Sequence, residues 1–294
     1  MNDDFVKSRV FGDGAARYHD LFYVLSKDRR LHESDVNHTS VIAVDSGDWA
    51  DVIDVNWNST AIAVARQPTE QLVFVGEEGQ VCTYVGGIAN EEKLSPAPVM
   101  IRRANTISGY VYACGMGRQV YVREAANRWV QMNAAAPRQD ERAGFEAIDG
   151  FTRNEIYAVG WQGEIWHFDG TAWTNHSGLT NLILTSVCCA EDGVVYVVGQ
   201  HGLIIKGRYG AWQIAQIDSD IEDDFWDVHW FKGKLYLTTM TGLYVLEETH
   251  LDEIDVDDIL NTSFYRLSSA EGILWSVGSS DVLSFDGRQW FRYA

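Results

Sequence analysis

The stretch Ile156–Gly178, "IYAVGWQGEIWHFDGTAWTNHSG", decides how this chain is read. It holds an apolar run ending in glycine, a two-glycine turn, a second apolar run, an Asp-Gly turn and a tryptophan. Short apolar runs punctuated in this way read as antiparallel strands joined by hairpins. The same order recurs along the chain. "LVFVGEEG" places its first turn glycine at Gly76, "YVYACGMG" at Gly115, "VYVVGQHG" at Gly199 and "ILWSVGSS" at Gly278, while "LYLTTMTG" puts Thr239 in the glycine slot. With Gly160 included, the successive gaps are 39, 45, 39, 40 and 39 residues. A period of about 40 residues built from strands is the signature of a propeller blade.

The tryptophan after the last turn is a second ruler. It recurs as Trp129, Trp173, Trp212 and Trp290, at gaps of 44, 39 and 78 residues, the last being two periods. Each unit therefore reads as four strands, A to D from the central axis outwards. Glycines in the B–C turn supply the positive φ that tight hairpins need, and Asp-Gly in "FDGTAW" and "FDGRQW" turns C into D. Near the N-terminus, "FVKSRVFG" reads as the innermost strand of a first blade, "LFYVLSK" as its B strand and "SVIAVDSGDW" as its C and D strands. Residues 26–39 then form an enlarged B–C loop. The expected fold is all-β: a seven-bladed β-propeller of four-stranded antiparallel blades, a single domain over residues 1–294. Six blades plus an irregular N-terminal segment is the alternative. No strand borrowed from the other terminus is evident for closing the ring.

The pattern YAVG-x-x-G-x-I-x-x-FDG-x-x-W is similar to bacterial propeller repeats related to photosystem assembly factors and to Asp-box proteins, from roughly Leu72 to Ala294. "VDSGDW" has the Asp-box separation of Asp and Gly without its spacing to Trp, and "FDGTAW" lacks the separation. The regular Gly-His and Trp-Asp pairs of WD repeats are absent. The resemblance implies architecture and leaves activity open, because this superfold carries many functions.

Composition narrows the function classes. The net charge of −19 disfavours nucleic acid and anionic membranes, which are bound through basic patches. That charge is also concentrated: residues 217–258 carry 13 acidic residues against two lysines. No basic leader followed by an apolar run opens the chain, so a cytoplasmic location is expected. Cys82, Cys114, Cys188 and Cys189 sit in apolar runs and read as free thiols, with the adjacent pair pointing to opposite sides of one strand.

Chemistry-bearing motifs are missing. There is no G-x-S-x-G elbow, no phosphate loop before a helix, and no paired histidine spacing for zinc. "DEIDVDD" lacks the glycine and distal Glu of a calcium loop. Arg102 and Arg103 are neighbours that point opposite ways, which removes the arginine cluster of an Asp-box glycosidase. No catalytic residue, metal or cofactor is expected.

Propellers place B–C turns and D–A connections on one face. Trp161, His201 and Met240 fall at successive B–C turns of blades four, five and six, where Trp161 at a turn tip has no core to fill. The blade-five connection supplies Asp218, Asp220, Glu222, Asp223, Asp224 and Trp226, and the one after blade six supplies Asp255, Asp257 and Asp258. Both acidic segments are expected at one edge of that face. Clustered like charge costs stability, which suits it to steering a basic partner. These features together point to a non-enzymatic protein-binding propeller, monomeric on its own. Within that class, the specific expectation is a bacterial immunity protein that neutralises a basic toxin or effector. An assembly factor with a cellular client, and a carbohydrate-binding or glycosidase-like propeller, are the other readings.

Overall fold

A computed structural model describes the backbone of residues 2–132, 143–219, 221–256 and 262–294. Seven four-stranded antiparallel sheets follow one another, each with its strands in chain order from the axis outwards. Blade one is Arg9–Ala16, Leu21–Asp28, Thr39–Asp45 and Asp48–Val55. The innermost strands of the other six blades are Ser59–Ala65, Ile101–Ile107, Phe145–Thr152, Leu184–Cys189, Asp227–Phe231 and Arg266–Ala270. The fold is thus the seven-bladed propeller, and the irregular N-terminal segment of the six-blade alternative is a complete blade. Two readings near the N-terminus shift. A short helix, Asn2–Lys7, replaces the first part of the expected innermost strand, and the enlarged B–C loop contains a helix, Arg29–Glu33, capped by the Asp28 carboxylate.

Why the two turn glycines recur differs from the expectation for the first of them. Gly160 has extended backbone, and a side chain there would place Cβ 2.0 Å from the Gly144 carbonyl oxygen of the connection entering blade four. The first glycine lets that connection cross directly over the B–C turn. The second, Gly163, is the one with positive φ, +67°, and it too lies against a backbone carbonyl, that of Thr180. Each B–C turn is therefore bolted to a neighbouring connection, as in Gly117 N–H to Ala143 O (2.8 Å) and Trp161 N–H to Gly144 O (3.0 Å).

The repeated tryptophans join each blade to the one before it. Trp129 donates to Glu92 of blade two (2.9 Å), where that carboxylate is also paired with the fully buried Arg123. Trp173 donates to Met132 O (2.8 Å), and Trp212 packs edge-on against Tyr157 of blade four. Blade one uses the same device: Trp49 donates to Tyr293 O of blade seven (3.2 Å). Phe22 stacking on Trp275 and Phe11 N–H donating to Ser279 O (2.8 Å) complete this seam. Both terminal blades contain their own four strands, so the ring closes by packing rather than by an exchanged strand.

Candidate functional site

The innermost strands surround a cavity of about 400 Å³. Arg103 of blade three reaches across it to Asp227 of blade six, with two contacts of 3.0 Å, while Arg102 turns outwards to Glu146. Asp227 also accepts from Ser186 Oγ (2.6 Å) and Leu267 N–H (2.9 Å). Burial alone would raise the Asp227 carboxyl, but the Arg103 and Arg266 guanidiniums outweigh it and hold it below its ordinary value. The cavity lining begins at the level of this ion pair and runs toward the A–B turns, as far as Arg66 and Glu191. The pair is a strut across the channel on the B–C side.

Two more buried carboxylates staple neighbouring blades. Asp13 accepts from Ile62 N–H (3.2 Å) and Asp149 from Cys189 N–H (2.7 Å). Burial raises Asp13, and it raises Asp149 to about 6. His229 is pushed down by burial and contacts Ser269 Oγ. Each of these carboxylates already serves backbone amides, so their geometry is that of joinery. The thiols fit the same picture: Cys188 and Cys189 face different inter-blade cores, and burial pushes both upwards. Among the described residues no group of three or more His, Cys, Asp or Glu is placed to hold a metal.

The B–C and D–A face is differently built. His201, at +57° φ in its turn, is exposed, and its N–H is held by the Asp224 carboxylate (2.9 Å). Gly202 N–H donates to Asp223 O (2.9 Å), so the acidic connection and the B–C turn of blade five form one unit. Met240 is 51% exposed at the next B–C turn, with its carbonyl accepting from Phe264 N–H. Glu222, Asp223 and Asp255 are exposed, and among the described residues none of them has a cationic partner. Trp226 stacks on Tyr265 at 5.1 Å between blades six and seven.

Two expected placements differ. Trp161 does have something to fill: it is half-buried, and its indole N–H is taken by the Glu146 carboxylate. Asp218 stands apart from the other acids on the flank of blade six. There its N–H donates to Thr249 O (2.7 Å), while Ile217 and Ile221 pack with Leu246 and Leu251. The first part of the connection thus covers the free edge of blade six's outermost strand, and only Glu222–Asp224 arrive at the face beside His201. Asp220, Asp257 and Asp258 lie outside the described residues.

Sequence reasoning missed the strut and the staples. Their signal was available in "FGDGAA", "AIDGFT" and "FWDVHW", each an Asp inside an apolar innermost strand.

A closed ring of seven four-stranded blades, with a strutted channel and an acidic loop face, defines a β-propeller whose differentiated surface lies at its B–C and D–A connections. Solved structures share this architecture. YCF48 bound to a D1 peptide superposes with a TM-score of 0.71 at 14% identity, over 95% of this chain and 92% of that one. The WD40 propeller domain of Doa1 gives 0.68 at 12% identity, over 97% and 92%. No family model matches the chain. The immune protein Tsi7 of Pseudomonas aeruginosa is 42% identical over 292 residues, covering 95% of both proteins, and the chain belongs to the Tsi7 family of immune proteins.

Proposed function

We propose that this protein is an immunity protein that binds a protein toxin and neutralises it by occupying its surface, without chemistry of its own. The docking surface is the B–C and D–A face of blades four to six, centred on His201, Met240, Glu222, Asp223, Asp224 and Asp255, with Trp161 and Trp226 as half-buried supports. One observation carries this reading: the B–C turns of those three blades and the D–A connections that leave them contain no lysine or arginine, yet hold the acids that, among the described residues, have no cationic partner. An acidic surface on a rigid scaffold suits a basic partner, whose approach it accelerates and whose orientation it sets. The free chain is a monomer that acts in the cytoplasm. Kinship with Tsi7 supports the immune role.

The test is co-expression with the protein encoded by the adjacent gene. The expected result is a complex that survives purification, and protection of cells from that protein. Failure of both overturns the reading. In the complex, Glu222→Gln, Asp223→Asn and Asp224→Asn together slow association about tenfold at low ionic strength and flatten its dependence on salt. The Asn at 224 keeps an oxygen for the His201 amide, so this variant folds.

A further inference from the structure

Exposed apolar side chains are unevenly distributed over the ring. Among the described residues eleven large ones are exposed, and six of them lie on the B–C and D–A face: Leu31, Val36, Val99, Met100, Leu179 and Met240. Only Ile88 and Tyr209 lie at turns of the opposite face, and the rest are on outermost strands. A single exposed apolar residue needs no explanation, but the collection of several on one face points to a contact surface.

Val99, Met100 and Leu179 are joined by an unbroken run of docked backbone. Met116 N–H donates to Met100 O (2.9 Å), Gly117 N–H to Ala143 O (2.8 Å) and Trp161 N–H to Gly144 O (3.0 Å). The turn Trp161–Gly163 then lies directly against Thr180, next to Leu179. This band runs from the connection entering blade three to the one entering blade five, where the acidic unit of His201 and Asp224 begins. The band is also held in place: Val99 N–H donates to Gln119 Oε1 (2.7 Å), and Leu182 N–H to Thr180 Oγ1 (3.1 Å). A pre-ordered apolar surface costs little conformational entropy to bind.

From this arrangement, and resting on the reading in the preceding section, we infer that the docking surface extends over blade three and has two unlike halves. Val99, Met100 and Leu179 over blades three and four are the anchor that sets how long the toxin stays. The acids over blades five and six set how fast it arrives. The partner is a basic protein whose lysines and arginines flank an apolar patch of its own, with the two in the matching order. Charged rims govern association rates, and desolvated apolar contacts near the centre govern dissociation.

The experiment measures association and dissociation rates of the protein encoded by the adjacent gene on three chains: wild type, Val99→Ser/Met100→Ser/Leu179→Ser, and Glu222→Gln/Asp223→Asn/Asp224→Asn. The serine variant is expected to dissociate at least tenfold faster, with its association rate within about twofold of wild type and its salt dependence intact. The neutralised variant shows the reverse pattern. A serine variant that melts like wild type and dissociates within twofold of it overturns the inference and leaves the preceding proposal standing. Absence of any complex with wild type overturns both. Leu179→Ser alone, at an exposed position, gives the same direction of change should the triple variant not fold.

Discussion

The two faces of blades four to six handle charge in opposite ways. At the A–B and C–D turns the cations Arg153, Arg208 and Lys232 are all engaged: Arg153 with Glu124, Arg208 with Glu155 at 2.7 Å, and Lys232 with the Asp286 carbonyl. The B–C turns of these blades and the connections that leave them hold no lysine or arginine, and among the described residues Glu222, Asp223 and Asp255 have no cationic partner. The channel between the faces pairs or staples its carboxylates. Acid inside this ring holds blades together, whereas the acids at the B–C and D–A connections of these blades have no lysine or arginine of the same loops beside them.

Breaking an interior pair should therefore cost far more stability than erasing the facial charge. Asp227→Ala strands the Arg103 guanidinium and leaves Ser186 and the Leu267 amide unserved, so a loss of about 3–5 kcal/mol is expected in urea unfolding. A loss under about 1 kcal/mol would mean that solvent satisfies the strut.

The next effect is a pH dependence. Asp149 has an ordinary carboxyl value of 3.8, raised by burial to about 6. The folded state then holds this proton more tightly than the unfolded chain does. The associated stability is present below about pH 4 and is lost as pH rises to about 6. The full shift corresponds to about 3 kcal/mol, but the side chain lines the channel and solvent screens it, which leaves on the order of 1–2 kcal/mol. Asp149→Asn should remove this part of the stability–pH slope in urea melts between about pH 4 and 6.5. An unchanged slope would show that Asp149 ionises freely.

A smaller loss is expected for Arg208→Ala on the paired face, about 0.5–1 kcal/mol, since the ion pair with Glu155 is partly exposed. Smallest is the effect of neutralising Glu222, Asp223 and Asp224, within about 0.5 kcal/mol in thermal or urea melts. A large destabilisation there would make the acids structural and remove the contrast between the two faces.

Most of the scaffold was legible from the chain because a repeat writes the same constraint many times. Gly160 and Trp173 recur in step since every blade must bolt its B–C turn to a connection and its D strand to the preceding blade. Even blade one, with little of the repeat, kept Trp49, which makes the ring-closing bond to Tyr293. What each glycine does was only partly legible, since close approach and positive φ select the same residue. The strut was hidden because Arg103 and Asp227 are 124 residues apart and meet only when the ring closes. At the candidate face, the charge and the position of His201 and Met240 followed from composition and turn order. The burial of Trp161 and the departure of Asp218 to the flank did not, because both depend on which neighbour a loop packs against. Val99, Met100 and Leu179 carry no sequence signal, being ordinary apolar residues whose exposure is set in three dimensions.

Amide hydrogen exchange of the free chain and of its complex with the protein encoded by the adjacent gene tests the central claim most directly. Protection on binding is predicted in residues 176–183, 199–203, 222–226 and 239–242, with no change at 153–154, 190–194 and 232–233 of the same blades. Protection confined to that second set would place the partner on the paired face and contradict the account.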